Sequence, residues 1–273
     1  MIQLENNRVE IIGNQTLIHG ECLEVMDKLI QQGIKVDCIL TDPPYEKTRG
    51  RWDIMIPLDD MWNRINLLIK TNGAILLFGN EPYSSKVRLS NENLYKYDWK
   101  WVKNRATGFA NSNYRPMQKY EDIMVFSKSN ASTGGRGKNM NYFPQGLVVS
   151  GKIKKNTPKR HGLIQKDTNN VGENNLLMTT SEYEQKFTNY QNNILEFECE
   201  SKYLHPTMKP TKLLEYLILT YTKEWDLILD FTAGSFSTLV ACQNTNRNGI
   251  GIELDEKYYN IGVDRVRNNV KVD

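Results

Sequence analysis

Residues 226–254 read DLILDFTAGSFSTLVACQNTNRNGIGIEL. A short apolar run ends in Asp230, passes through a turn of small residues holding Gly234, and enters a helical pattern near Ser237. A second apolar run then carries Glu253 at its end. Strand, helix and strand in that order make a βαβ unit, whose two strands lie parallel in one sheet. The turn at Gly234 has two readings. It is either an ordinary tight βα turn, or a nucleotide cradle in which the backbone approaches a ligand and the helix amino terminus aims its donors at it. An acid such as Glu253 at the end of the following strand suits the second reading, because it accepts hydrogen bonds from ribose hydroxyls.

The same alternation runs outward through the chain. Doubly buried strands are expected at TLIHG (16–20), VDCILT (36–41), AILLFG (74–79) and DIMVFSK (122–128), all short, apolar and bounded by turn residues. YDWKWVK (97–103) alternates more strongly and suits a strand near a sheet edge. Amphipathic helices are expected at 22–31, 59–71, 212–223, 237–246 and 256–268. The pattern predicts an α/β fold, a Rossmann-like, doubly wound, mostly parallel sheet of about seven strands, with no internal repeat.

Residues 129–201 break the alternation. From Lys128 to Lys166 there are nine Lys/Arg and no acid, whereas from Asp167 to Glu200 there are seven Asp/Glu against one lysine. Tyr142, Phe143, Leu147, Val148 and Val149 supply apolar anchors, which favours an inserted module over a bare linker. The expected organisation is therefore residues 1–128, an insertion at 129–201, and residues 202–273. A basic, Asn/Gly-rich insertion suits contact with a polyanion.

Composition constrains the rest. With 273 residues, 39% apolar and 25% charged, the chain can bury a full α/β core. A net charge of +3 means that any nucleic-acid surface is local. Cys22, Cys38, Cys199 and Cys242 have no CxxC spacing, and His19, His161 and His205 are dispersed, which argues against a zinc site or a disulfide framework. No apolar signal core opens the sequence and no run reaches the length of a membrane span, so the expected setting is cytoplasmic and without a membrane partner.

The strand VDCIL runs into Thr41-Asp42-Pro43-Pro44-Tyr45. Two prolines fix their own φ and remove two backbone donors, so this loop is stiff. Asp42 and the Pro43 carbonyl become fixed acceptors beside the Tyr45 ring. That set would hold a flat base bearing an exocyclic amine, although a rigid turn with a capping aspartate explains the same residues.

TDPPY, then HPTMKPTKLLEYL (His205–Leu217), then LDFTAGSFSTLVAC followed by GIGIELDEKYY, together resemble the amino-methylating DNA methyltransferases. Their order, with an insertion after the DPPY half, is similar to the permuted β group of that family. The resemblance covers residues 15–128 and 202–268. It implies a circularly permuted class I methyltransferase fold, S-adenosylmethionine as cofactor, and double-stranded DNA as partner. It also implies Asp42, Pro43, Pro44 and Tyr45 as the catalytic set. On the cofactor it implies Asp230, Phe231, Gly234 and Ser235 at the methionine half and Glu253 on the ribose. Thr207 and Lys209 would meet the methionine carboxylate, with Glu21 near the adenine and Asp42 close by. A homodimer and a cognate restriction endonuclease are further partners within the reach of the resemblance.

The resemblance places DNA target recognition in the insertion. Basic residues expected on DNA are Lys47, Arg49 and Arg51 after the DPPY turn, and Arg105 and Arg115 in a stretch that also carries Lys103, Lys119, Phe109, Tyr114 and Tyr120. In the insertion they are Arg136, Lys138, Lys154, Lys155 and Arg160. Asp as the first letter of the tetrapeptide implies adenine as the methylated base. Cytosine methylated at its exocyclic amine is the alternative, with a protein glutamine methyltransferase disfavoured because an Asn is usual there. One departure stands out. Relatives usually place a second glycine where this chain has Phe236, so a non-catalytic DNA-binding subunit is a reading from a different class.

Overall fold

The computed structural model describes residues 4, 7–45, 54–132, 137–155, 182–200 and 208–270. In chain order it begins with β1 (Arg8–Ile12), β2 (Gln15–His19), α1 (Cys22–Gln31), β3 (Val36–Thr41), α2 (Leu58–Leu68) and β4 (Ile69–Gly79). There follow α3 (Tyr83–Ser90), β5 (Tyr95–Thr107), β6 (Gln118–Phe126), β7 (Val148–Lys155), β8 (Glu182–Thr188) and β9 (Ile194–Glu196). The last elements are α4 (Thr211–Tyr221), β10 (Leu227–Asp230), α5 (Ser237–Asn244), β11 (Asn248–Glu253) and α6 (Glu256–Asn268).

Nine strands form one sheet in the order β1-β2-β11-β10-β3-β4-β6-β5-β9. From β2 to β4 all neighbours are parallel. β6 inserts antiparallel between β4 and β5. This is the Rossmann-like, doubly wound arrangement expected from the alternation of strands and helices.

Alternation along the strands explains why the sheet is covered on both faces. Ile39, Ile75, Leu77, Met124 and Phe126 enter one core with residues of α1, α2 and α3. Their neighbours Cys38, Leu40, Leu76, Phe78 and Val125 enter a second core beneath α4 and α5. The chain leaves β10 toward β11 and β3 toward β4, in opposite directions across the sheet. The carboxyl ends of β10 and β3 therefore flank the point where the winding reverses, which is where open α/β sheets bind ligands.

Several elements differ from expectation. β1 adds a strand through a hairpin whose turn, Gly13-Asn14, has Gly13 at φ +57°, a conformation glycine adopts without penalty. β9 caps the other side, outside β5. α2 stops at Leu68, three residues early, because Ile69 already pairs with Val36. α3 was not anticipated.

The compact units also divide differently. One comprises Met1–Phe143 and Asn192–Asp273, and the other Pro144–Gln191, whereas the sequence suggested an insertion at 129–201. Met140 is buried in the second core, the Asn141 N–H donates to Asn72 O, and the Phe143 N–H donates to Thr220 O. These contacts, together with β9, hold the flanks of the insertion in the main unit. The smaller unit contains the antiparallel pair β7–β8, which exposes Val148, Val149, Ile153 and Phe187.

Phe236, the departure from the usual turn, has φ +57° and is fully buried. Its ring packs at a steep angle to Tyr259, 5.9 Å between centroids, in a cluster with Leu17, Leu239 and Val263. A Cβ at Gly251 would lie 2.6 Å from the ring, and one at Gly262 would overlap it. The left-handed backbone costs about 1–2 kcal/mol, less than the 3–5 kcal/mol typical of deleting a buried ring. The side chain is therefore a core residue, seated in a slot kept open by two glycines.

A Gly262→Ala substitution tests this. On an open helix face it would gain up to about 1 kcal/mol of helix propensity, but overpacking against Phe236 costs about 1–3 kcal/mol. Thermal denaturation should show a lower Tm, partly restored by adding Phe236→Leu. A Tm equal to or above wild type would contradict the slot.

Candidate active site

Thr41 ends β3 and Asp230 ends β10, and the two ends are stitched together. The Thr41 hydroxyl donates to Asp230 Oδ1 at 2.8 Å and lies 2.6 Å from the Thr232 hydroxyl. Asp230 Oδ1 also accepts from the Thr232 N–H at 3.2 Å, and Oδ2 accepts from the Thr238 hydroxyl at 2.6 Å. Thr232 in turn donates to the Asp42 carbonyl at 3.1 Å. Asp230 thus has both oxygens engaged by the protein, and it fixes the DPPY turn against the Gly234 turn. Burial raises its pKa to about 6 despite the hydroxyl donors.

Glu253 performs a similar task at the next strand end. Its carboxylate accepts from the Gly234 N–H and the Asp255 N–H, both at 2.8 Å. Burial lifts its pKa to about 7. Gly234 itself sits at φ +55°, which favours glycine. Phe231 is buried in the first core and is among the residues lining the cavity described next. Ser235 is buried too, 3.4 Å from an Arg265 nitrogen that also reaches the Ser237 hydroxyl at 2.6 Å.

A cavity of about 460 Å³ opens across these strand ends, within the ordinary range for a small-molecule site. Gly234, Ser235, Ile252 and Glu253 line one part of it, and Asp42, Pro43, Pro44 and Tyr45 another. Glu21 lines the same cavity while capping α1, its Oε2 accepting from the Glu24 N–H at 2.8 Å. The cavity therefore brings together the described residues of the two sequence motifs, and Phe236 is not in its wall.

The DPPY end holds charges that sequence reasoning did not assemble. Asp42 Oδ2 is ion-paired and hydrogen-bonded with the Lys209 ammonium. Lys209 also lies 3.4 Å from Glu121 Oε2, and the other oxygen of Glu121 is paired with Lys103. Lys209, expected at a cofactor carboxylate, is thus joined to Asp42 of the DPPY turn. Lys103, expected on the DNA-facing loop, is part of the cavity wall. Burial raises the Asp42 pKa, Lys209 opposes that rise, and Glu121 adds to it. Burial disfavours the Lys209 ammonium, but Asp42 and Glu121 outweigh it and hold its pKa above the usual lysine value.

Asp42 Oδ1 is buried without a hydrogen-bond partner among the described residues. Nearby, Tyr45 stacks on Tyr83 with centroids 5.1 Å apart, and its hydroxyl accepts from the Asn80 amide at 3.3 Å. Gln118 donates to that same Asn80. Asn80, Gln118 and Glu121 follow or open apolar runs, and a polar residue at the end of a buried strand was the signal available for them.

Of the basic residues expected on DNA, Arg105, Arg115, Lys138 and Lys154 are exposed. Arg105 lies near the end of β5, and Arg115 lies in the stretch joining β5 and β6, which also exposes Phe109 and Tyr114. Lys47, Arg49, Arg51, Arg136, Arg160, Thr207 and His205 lie outside the described residues, as does the side chain of Lys155.

Comparison with known proteins agrees with this geometry. The N6_N4_Mtase family, described as DNA methylase, matches residues 36–264. The Type II methyltransferase M.HpaI of Haemophilus parainfluenzae is 24% identical over 93% of this chain and 74% of its own length. The DNA adenine methyltransferase YhdJ of Escherichia coli is 25% identical over 93% of this chain and 84% of its own length. In fold, the chain is similar to a crystal structure of an M1.HpyAVI–SAM complex, with TM-score 0.61 and 24% identity over 92% of this chain and 99% of the other. It is similar also to the cytosine-N4-specific PvuII DNA methyltransferase, with TM-score 0.62 and 14% identity over 93% and 86%. The chain belongs to the N6/N4 DNA methylase family, enzymes that methylate DNA with S-adenosylmethionine as the methyl donor.

Proposed function

We propose that the chain methylates the exocyclic amine of adenine in double-stranded DNA, with Asp42, Pro43, Pro44 and Tyr45 as the catalytic set. The observation that carries this reading is Asp42 Oδ1, a buried acceptor without a hydrogen-bond partner among the described residues, at the start of a rigid turn and in the wall of the same cavity as the Gly234 turn. A buried carboxylate oxygen without a donor is costly, and an amine hydrogen satisfies it.

An exocyclic amine is a poor nucleophile because its lone pair is delocalised into the ring. Asp42 Oδ1 and the Pro43 carbonyl, each accepting one amine hydrogen, draw the nitrogen toward tetrahedral geometry and localise that pair. S-adenosylmethionine supplies an electrophilic methyl group on sulfonium. As transfer proceeds the amine gains positive charge, which the Asp42 carboxylate stabilises from a fixed position, and Asp42 Oδ1 then accepts the proton that the amine sheds. Tyr45 stacks on the base, worth about 1–3 kcal/mol for a base on an aromatic ring. The base reaches this pocket by flipping out of the duplex, at a cost of a few kcal/mol.

For the cofactor, the cavity volume and the Glu253 carboxylate fit a nucleoside. Glu253 holds the ribose hydroxyls, the backbone at Gly234 and Ser235 lies along the methionine half, and Glu21 sits near the adenine, with Asp230 and Phe231 supporting the turn. Arg105, Arg115, Lys138 and Lys154 contact DNA, and the inserted unit Pro144–Gln191 reads the target. Adenine is favoured over cytosine by the Asp-Pro-Pro-Tyr tetrapeptide and by the similarity to YhdJ. The protein acts on DNA in the cytoplasm.

Expression in a methylation-free host, followed by nucleoside analysis of its DNA, should yield N6-methyladenine; N4-methylcytosine alone would overturn the base assignment. Asp42→Ala should lower methyl transfer at least about a hundredfold while DNA affinity changes little, and near wild-type turnover would remove Asp42 from its role.

Cofactor affinity should also depend on pH. Glu253, with a pKa raised to about 7, is largely protonated below that value and presents fewer acceptors to ribose. Calorimetric binding of S-adenosylmethionine should therefore tighten several-fold from pH 6 to pH 8. Glu253→Gln should weaken binding by about 10- to 100-fold, the scale of hydrogen bonds to a charged group, and flatten the pH response. Equal affinity for wild type across that range would contradict the ribose assignment.

A further inference from the structure

The four charged side chains at the base end of the cavity alternate in sign along one line: Asp42, Lys209, Glu121, Lys103. Each is shielded, with side-chain exposures of 15, 7, 9 and 12%. They come from four places in the fold: the turn after β3, the segment before α4, β6 and β5. Lys209 additionally lies over the Phe78 ring at 5.1 Å, and Lys103 over the Trp101 ring at 5.1 Å. Aromatic faces and carboxylates thus fix both ammonium groups inside the wall. A buried ion pair is weak evidence for stability, because desolvation opposes the attraction. Its placement on the catalytic carboxylate calls for a functional account.

We propose that Lys209 and Glu121 are positioning residues for methyl transfer. Lys209 occupies Asp42 Oδ2 and keeps that buried carboxylate ionised, so that Oδ1 faces the base amine as a bare acceptor. Glu121, restrained by Lys103, holds the ammonium in place. The proposal rests on the catalytic role given to Asp42 above.

The charge environment supports it. Around Asp42 stand Lys209, Glu121 and Lys103, with Tyr45 on its own loop, Tyr83 on α3 and Asp230 on β10. Burial and Glu121 work against ionisation of Asp42, and Lys209 is the strongest influence in its favour. Without it, two carboxylates would face each other in a shielded wall, which favours the protonated form of one of them. A protonated Asp42 has lost the charge that stabilises the developing cation. The arrangement also differs from a lysine held for the cofactor carboxylate, since the ammonium is engaged at the base end of the cavity.

The test is the pH profile of kcat for DNA methylation, with S-adenosylmethionine affinity measured separately by calorimetry. Lys209→Met should move the acidic limb of the profile upward by at least one pH unit, lowering kcat at pH 7 at least tenfold with recovery toward pH 9, and leave cofactor affinity within a few-fold of wild type. Adding Glu121→Gln should move the limb back, because the like charge is gone. Loss of cofactor affinity with no movement of the limb would overturn the proposal and return Lys209 to the cofactor carboxylate. If Lys209→Met does not fold, Glu121→Gln alone decides: the limb should move to lower pH, and a limb that stays in place overturns the proposal. Failure of the underlying reading is distinguishable, since it would show as an active Asp42→Ala enzyme.

Discussion

The site depends on one buried carboxylate, Asp230, and on the Thr41 and Thr238 hydroxyls and the Thr232 N–H that satisfy it. Two parallel strands, β3 and β10, end side by side where the winding of the sheet reverses, and each continues into a loop with its own chemistry. Left alone, two loops at a sheet end move independently. Asp230 removes that freedom by bonding to the end of β3, to the Gly234 turn and to the first turn of α5. Through Thr232 it also reaches the Asp42 carbonyl. The DPPY turn is stiff within itself because of its prolines, and this network makes it stiff relative to the other half of the site. For a reaction helped chiefly by alignment, that relative rigidity is what matters.

What the sequence made legible was local. TDPPY, the small-residue turn at Gly234 and Glu253 are each readable within a few residues, and their strand and helix settings follow from periodicity alone. What escaped depends on distant partners. Lys209 pairs with Asp42 across a separation of 167 residues, and no pattern near HPTMKP signals it. Phe236 looked like an obstruction in the cofactor turn, but its slot requires Gly251 on one element and Gly262 on another. The limits of the insertion were also hidden, because a buried Met140 and the three-residue strand β9 return its flanks to the main unit. The Gly13-Asn14 hairpin that creates β1, by contrast, carries a recognisable turn signal that the strand assignment did not use.

Electrostatics complete the account. A carboxylate buried in a cavity wall costs several kcal/mol in desolvation unless a cation offsets it, and here burial and Glu121 push Asp42 toward its neutral form. Chemistry that develops positive charge at an amine requires the ionised form. Lys209 resolves this conflict without blocking the acceptor, since it binds one oxygen and leaves the other without a partner among the described residues. Within the row that ends at Lys103, two ammonium groups are set against two carboxylates.

The central claim is that Asp42 Oδ1 and the Pro43 carbonyl hold the amine that is methylated. A crystal structure of the ternary complex with S-adenosylhomocysteine and a duplex containing the mapped target would test it most directly. It should show an extrahelical adenine whose amine donates to both acceptors, with Lys209 still on Oδ2 of Asp42. An extrahelical base whose amine lies away from Asp42, or a Lys209 that has left Asp42 for the cofactor carboxylate, would contradict the account.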